Sequence, residues 1–357
     1  MIKKMIMLVC STLLMILAVL LCDLVLSSSI LDDPDDARPY LRLDSGWYEL
    51  KRNHLGIDQW GDRIYRVRTD SQGFRTNDRV AMDGNGEVLF LGDSFTYGIN
   101  GPWDETFVGM YANFSNRPTL NAGIPSYSPT PYLFQYEGVI RSRQVMTQHV
   151  VILGLDISDV ADEAIRWRPG KTHPIDITWS EQSKSGRFFR SHLILTRTIW
   201  RSIRNRLATR EKATPSQIFD TPHASFTWAD WNAIDSAFAP LGVGGGIGRI
   251  EEVVTKIAAL AKDNGGSLYL LAYPHPAQLA HESMSFDWEG FVDSLCVSTE
   301  CSGVINAFPA FRSLVASESD WYHKYFVDGD AHYNAAGNRV VFNEIVKRLE
   351  QPDRGTR

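Results

Sequence analysis

Short apolar runs alternate with amphipathic ones along most of this 357-residue chain, and few folds tolerate that rhythm. Within HVVILGL, Val150 to Leu155 carry no polar side chain. Such a strand has no face for water, so it belongs inside a parallel sheet covered on both sides. Glu87 to Leu91 and SLYLLAYP (Ser267 to Pro274) have the same character, and PTLNAG and SGVINAF are shorter versions. Between them, DETFVGMYANF and PYLFQYEGVIRSRQ carry helical spacing. GRIEEVVTKIAALAKDNGG is strongly amphipathic and stops at glycines, and NAAGNRVVFNEIVKRLE closes the chain in the same way. Strands alternating with helices predict the α/β class, three layers around a doubly wound parallel sheet.

One block interrupts the alternation. Residues from about 160 to 245 separate the third strand from its helix and read as an insertion. Between Lys184 and Arg210 it holds eight basic residues and no acidic one, while Leu195, Ile199, Ile203 and Leu207 recur every fourth position. That spacing predicts a helix with one apolar face. Two readings stay open: a helix packed on the domain with a solvated arginine face, or a surface for anionic lipid or an anionic glycan.

The N-terminus obeys a different rule. Met5 to Cys22 is apolar but for Ser11 and Thr12. As a helix it is about 27 Å long, close to the roughly 30 Å of a bilayer core. Lys3 and Lys4 precede it, and positive flanks stay in the cytoplasm. The expectation is an uncleaved single-pass anchor in the cytoplasmic membrane, with everything after about residue 30 on the outer side; the alternative is a cleaved signal peptide, for which LSSSILDD offers a weak site. The expected organisation is an anchor at 1–29, an acidic, proline-bearing stalk and small strands at 30–84, the α/β domain at 85–350, and a tail at 351–357. With a net charge of −6 the chain carries no basic footprint for nucleic acid.

Of four cysteines, Cys10 and Cys22 lie in the apolar run, where a thiol is a small apolar side chain. Cys296 and Cys301 are close in sequence, and an exported domain meets an oxidising compartment, so a local disulfide is expected, with two free thiols as the alternative. No phosphate loop, dinucleotide fingerprint or metal-spaced cluster occurs, so no cofactor is expected.

In an open α/β sheet, ligands bind beyond the carboxyl ends of the strands. Three such ends carry chemistry here: Gly92-Asp93-Ser94, Asn121-Ala122-Gly123, and the run Gly154 to Asp159. Before the last helix comes DGDAHYNAAGN, with Asp328, Asp330 and His332. These parts meet the needs of acyl transfer. A serine hydroxyl requires a base, a histidine base requires a carboxylate, and the developing oxyanion requires preset donors. The stretch is not a Gly-x-Ser-x-Gly elbow, because Thr96 stands at the second glycine position.

GDSFTYG resembles the first sequence block of the GDSL, or SGNH, hydrolases. NAG around Gly123 resembles their second block and DGDAHYNAAG their last, and TDSQGFRTND resembles the segment preceding the serine in bacterial exported members. The resemblance covers roughly residues 65 to 350 apart from the insertion, and it implies a flavodoxin-like SGNH fold. It makes Ser94 the nucleophile and His332 the base. Asp330, in an Asp-x-His pattern similar to the exopolysaccharide-acetylation branch, is the expected acid, with Asp328 the alternative. Ser94 and Gly123 would lend backbone N–H groups to the oxyanion. In the third block the family's asparagine is absent. Asp156 takes its place in one register and Ser158 in another; Ser158 could donate directly, Asp156 only if protonated or turned away.

The implied activity is a serine esterase that removes or transfers a small acyl group, most naturally acetyl, on a carbohydrate. Alternatives are an O-acetyltransferase of cell-envelope polysaccharide with the same residues and a non-catalytic glycan-binding scaffold. The expected partners are an acylated carbohydrate or small ester and the membrane. Tyr97 and Asn100 are candidates to shape the acyl pocket. His275 is either near the site or a loop residue between two prolines. Trp167, Trp179, Trp228 and Trp231 either stack on sugar or pack a core.

Overall fold

The computed structural model describes residues 2–29, 38–43, 46–60, 63–77, 86–99, 101–180, 193–208, 238–280 and 286–350. The chain forms two compact units, Met1–Arg38 with Ser180–Lys212, and Pro39–Trp179 with Ala213–Arg357.

In chain order, helix α1 (Ile2–Ser29) is followed by a two-stranded antiparallel pair, β1 (Tyr40–Arg42) and β2 (Tyr48–Leu50). Next come β3 (Leu55–Trp60), β4 (Arg63–Thr69) and β5 (Arg75–Thr76). The α/β rhythm begins at β6 (Gly86–Leu91) and runs through the short α2 (Ser94–Tyr97), α3 (Phe107–Ser115), β7 (Thr119–Asn121), α4 (Pro129–Arg141) and β8 (Val145–Leu155). After β8 come α5 (Ser158–Ala161), a π-helical turn (Asp162–Arg166) and a small hairpin of β9 (Trp167–Arg168) and β10 (Ile175–Asp176). Helix α6 (Ile194–Ala208) belongs to the first unit. The second unit ends with α7 (Gly242–Asp263), β11 (Gly266–Ala272), α8 (Trp288–Thr299), β12 (Gly303–Asn306), α9 (Phe308–Ser317) and α10 (Ala335–Leu349).

The central sheet runs β12-β11-β8-β6-β7-β5-β4-β3. Its first five strands are parallel, in the flavodoxin-like order in which the first and third parallel strands, β6 and β8, are neighbours. Both faces are covered, and residue parity on β6 shows how. Leu89 and Leu91 pack in one core with Tyr132 and Tyr136 of α4, Ile250 and Val254 of α7 and Val292 of α8. Val88 and Phe90 pack in the other with Phe107 and Tyr111 of α3, Phe311 of α9 and Val341 of α10.

The sheet is mixed rather than purely parallel. The segment expected to be a stalk with small strands contributes β3, β4 and β5, which extend the sheet antiparallel from β7. The strand β3 is the edge of the sheet, and of its residues only Asp58 is buried. The expected insertion also divides. Its first part, through Trp179, stays with the sheet, whereas α6 joins α1. Cys296, in the last turn of α8, is disulfide-bonded to Cys301 with Cα atoms 4.9 Å apart.

In the first unit, Lys3–Ser27 is the one helix among the described residues long and apolar enough to cross a membrane, with mean hydropathy 2.8. The carboxylate of Asp23 on α1 accepts the Leu195 and Thr196 N–H groups (3.0 and 2.7 Å), and the Ser27 hydroxyl oxygen accepts that of Ile194 (3.0 Å). These acceptors satisfy donors that the first turn of α6 would otherwise leave bare.

Candidate active site

Ser94 is delivered by β6. The strand ends at Leu91, and Asp93 caps α2 by accepting the Phe95 N–H at 2.9 Å. Gly98, at φ +81°, ends that helix in the left-handed conformation glycine tolerates best. The turn is braced from β5. Arg75, 1% exposed, donates to the carbonyls of Tyr97 (2.5 Å), Gly98 (2.7 Å) and Gly101 (2.6 Å), with its guanidinium 4.7 Å from the Tyr97 ring centroid.

The loop before α10 brings the partner. Ser94 Oγ lies 2.7 Å from His332 Nε2, and His332 Nδ1 lies 2.6 Å from Asp330 Oδ1. The backbone N–H of His332 donates to the same carboxylate at 3.1 Å, and the Trp60 indole N–H donates to its other oxygen. Phe95 supports the imidazole, with ring centroids 4.7 Å apart. Asp328 is exposed and lies 3.5 Å from His323 instead.

The electrostatics follow from burial and pairing. Burial alone would raise the Asp330 carboxyl, but the His332 charge and the His332 and Trp60 hydrogen bonds outweigh it and hold it at about 2. Burial would lower His332, yet Asp330, reinforced by Asp93 and Asp156, holds it above its ordinary value.

Beside Ser94 lies a second acidic group. Asp93 accepts the Tyr273 hydroxyl at 3.1 Å and lies 3.2 Å from Ser94 Oγ. Burial and then the nearby Asp156 raise its carboxyl. Asp156 is lowered: burial opposes its charge, but His275 and Ser158 overcome that. Asp156 Oδ1 accepts both the N–H (2.7 Å) and the hydroxyl (2.6 Å) of Ser158, while Oδ2 faces His275 Nε2 at 3.3 Å.

These contacts bear on several expectations. Ser158 directs both its donors at Asp156, whose lowered carboxyl accepts them, so in this arrangement neither side chain presents a donor to an oxyanion. Gly123 donates its N–H to the Asn121 side chain at 2.9 Å, so that amide is not free. A Cβ on Gly123 would stand 2.2 Å from the Tyr97 nitrogen, so glycine is required there for close backbone packing. The Ser94 N–H makes no hydrogen bond among the described residues. Tyr97 is fully buried in the core and donates to Asp58 at 3.1 Å. Trp167 is a core residue, and Trp179 stacks under the Arg42 guanidinium at 4.4 Å. Asn100, Trp228 and Trp231 lie outside the described residues.

Of the two readings of His275, the geometry favours the site: it is buried beyond β11, its ring 5.2 Å from Phe95. Trp60 was not expected at all. It is an edge-strand tryptophan far from Asp330 in sequence, and no local signal marks it. Among the described residues no cluster of His, Cys, Asp and Glu could hold a metal ion.

No known family model and no curated protein matches the chain. Solved structures do. A putative lipolytic protein of the G-D-S-L family from Desulfitobacterium hafniense is 12% identical, covering 74% of this chain and 99% of its own, with a TM-score of 0.38. A G-D-S-L lipolytic family member from Veillonella parvula is 11% identical over 74% and 98%, with a TM-score of 0.41. An acetylxylan esterase from Geobacillus stearothermophilus is 12% identical over 74% and 94%, with a TM-score of 0.39. The chain is thus similar in structure to G-D-S-L lipolytic proteins and to acetylxylan esterases, while its fold class rests on its own strand order.

Proposed function

We propose that this chain is a membrane-anchored serine esterase of SGNH type, which removes or transfers a small acyl group, acetyl foremost, on a carbohydrate outside the cytoplasmic membrane. The observation that carries the reading is the unbroken Ser94–His332–Asp330 hydrogen-bond chain at the carboxyl ends of the parallel strands. His332 Nε2 takes the Ser94 proton as Oγ attacks the acyl carbon. The Ser94 N–H, at the start of α2, stabilises the oxyanion. Collapse expels the sugar oxygen, which takes the proton from His332. Water, or another sugar hydroxyl, then gives its proton to His332 and attacks the acyl-serine, and collapse releases Ser94 Oγ, which takes that proton back from His332.

The acetyl group and the carbohydrate rest on the resemblance of GDSFTYG and the Asp-x-His loop to that family. The outward orientation rests on Lys3 and Lys4 ahead of α1. Transfer to a sugar hydroxyl uses the same residues and differs only in excluding water. A non-catalytic glycan-binding role is disfavoured by the complete triad geometry.

The test is hydrolysis of a short-chain activated acetyl ester by the detergent-solubilised full chain, with Ser94→Ala and His332→Ala alongside. Turnover lost in both variants, with folding intact, supports the reading. A folded parent with no turnover, or a Ser94→Ala variant as active as the parent, overturns it.

A further inference from the structure

We propose that α6 is an interfacial helix that lies in the outer leaflet beside the anchor and binds anionic phospholipid headgroups. The inference rests on α1 being a membrane span. Three observations carry it. The first is position. Asp23 and Ser27, in the last two turns of α1, hold the first turn of α6 through three backbone N–H groups, and Asp23 is 1% exposed in doing so. On α1, residues 3–7 and 9–19 are exposed, and burial begins only at Leu20 and Asp23. Among the described residues, the second helix therefore contacts the anchor at its C-terminal end, where the chain leaves the bilayer.

The second observation is an uncovered apolar face. Leu195, Ile199 and Ile203 are 40%, 50% and 45% exposed, and Trp200 beside them is 66% exposed. A helix in water would not leave that stripe bare beside a membrane that can take it. The third is charge. Arg197 and Arg201 stand two positions beyond Leu195 and Ile199, so about 200° around the helix, and Arg204 stands one position, about 100°, beyond Ile203. Arginines on that side reach headgroup phosphates while the leucine and isoleucines enter the acyl boundary. With Arg206 there are four arginines within the 15 residues of α6. That content, and a length of about 22 Å, exclude a second crossing of the hydrocarbon core.

The test uses the full chain with Cys10→Ala and Cys22→Ala, reconstituted in phosphatidylcholine vesicles with and without phosphatidylglycerol. Single nitroxides are placed at Leu13→Cys on α1 and at Ile199→Cys, Ile203→Cys and Arg201→Cys on α6. Collision with oxygen, which favours lipid, is compared with collision with an aqueous nickel chelate. The proposal expects labels at 199 and 203 to meet oxygen and exclude nickel, at shallower depth than 13, and the label at 201 to meet nickel. Phosphatidylglycerol should deepen 199 and 203, and Arg197→Gln with Arg204→Gln should abolish that deepening.

A lipid-buried label at 13 with aqueous labels at 199 and 203 overturns the inference and leaves the anchor standing. An aqueous label at 13 removes the anchor reading itself. Labels at 199 and 203 shielded from both reagents, or broadened by a second spin, mean a protein surface or a second copy and overturn the proposal. Equal depth with and without phosphatidylglycerol overturns the headgroup contact. Since a cysteine variant can misfold, hydrogen exchange of residues 194–208 in the unmodified chain provides a parallel reading. Protection that appears in phosphatidylglycerol vesicles but not in detergent supports the proposal, and its absence overturns it.

Discussion

Replacing Asp330 by asparagine keeps the shape of the side chain and removes its charge, which isolates what the carboxylate does for His332. The structure sets the scale. Asp330 is held at about 2 against an ordinary 3.8, a difference worth roughly 2 kcal/mol. Its two oxygens receive opposite donors, His332 on one side and the Trp60 indole on the other. An asparagine can satisfy only one side. With its oxygen toward Trp60, its NH2 faces His332 Nδ1 and forces the imidazole proton onto Nε2, where it blocks the Ser94 proton. With its oxygen toward His332, the NH2 meets the indole N–H head on.

Asp330→Asn is therefore expected to lower kcat by on the order of 10³–10⁴. Trp60→Phe added to it removes the competing donor and should recover part of that loss. The acid limb of kcat/KM should also move to lower pH in Asp330→Asn, because burial then acts on His332 without its main counter-charge. Initial rates on an activated acetyl ester across pH read all three effects. An Asp330→Asn variant within about tenfold of the parent, or a double variant no better than the single one, would refute the orientation argument.

Stability should be highest at mildly acidic pH. Asp93 and Asp159 are buried carboxyls raised by desolvation and then by Asp156, so their contribution falls as pH climbs from about 4 through their folded values. The raised His332 contributes below its ordinary value near 6.5 and loses that contribution as pH rises through its folded value. Asp330 and Asp156, both lowered, contribute above about 4 and are lost only as pH falls toward about 2. The urea midpoint should be higher near pH 5 than near pH 8, and a reversed order would contradict these assignments. Arg75→Lys should cost about 3 kcal/mol or more, since one ammonium cannot serve carbonyls on Tyr97, Gly98 and Gly101 together. An unchanged unfolding midpoint would mean that the guanidinium does not brace the Ser94 turn.

What could be read from the sequence was local. Ser94 follows an apolar strand directly, and Asp330 and His332 sit two residues apart, so strand ends and short spacing exposed them. The contacts that complete the site are not local. Trp60 reaches Asp330 only because β3 and β4 join the sheet at its antiparallel edge, and β3 carries no continuous apolar run to announce that. Gly123 looked like an open amide because a glycine at a strand exit has two uses, and here close packing on Tyr97 takes precedence. Asp156 and Ser158 satisfy each other, which depends on side-chain direction rather than spacing. The insertion read as one block divides near Trp179, because the hairpin of β9 and β10 has its own partners in the sheet unit, while α6 is capped by Asp23.

The most direct measurement of the central claim is covalent labelling of the full chain by a serine-directed phosphonate, read by peptide mass. The account predicts one adduct, on Ser94, absent in Ser94→Ala and formed far more slowly in His332→Ala. A folded parent that takes no adduct, or takes it on another residue, would contradict the claim that Ser94 is an activated nucleophile.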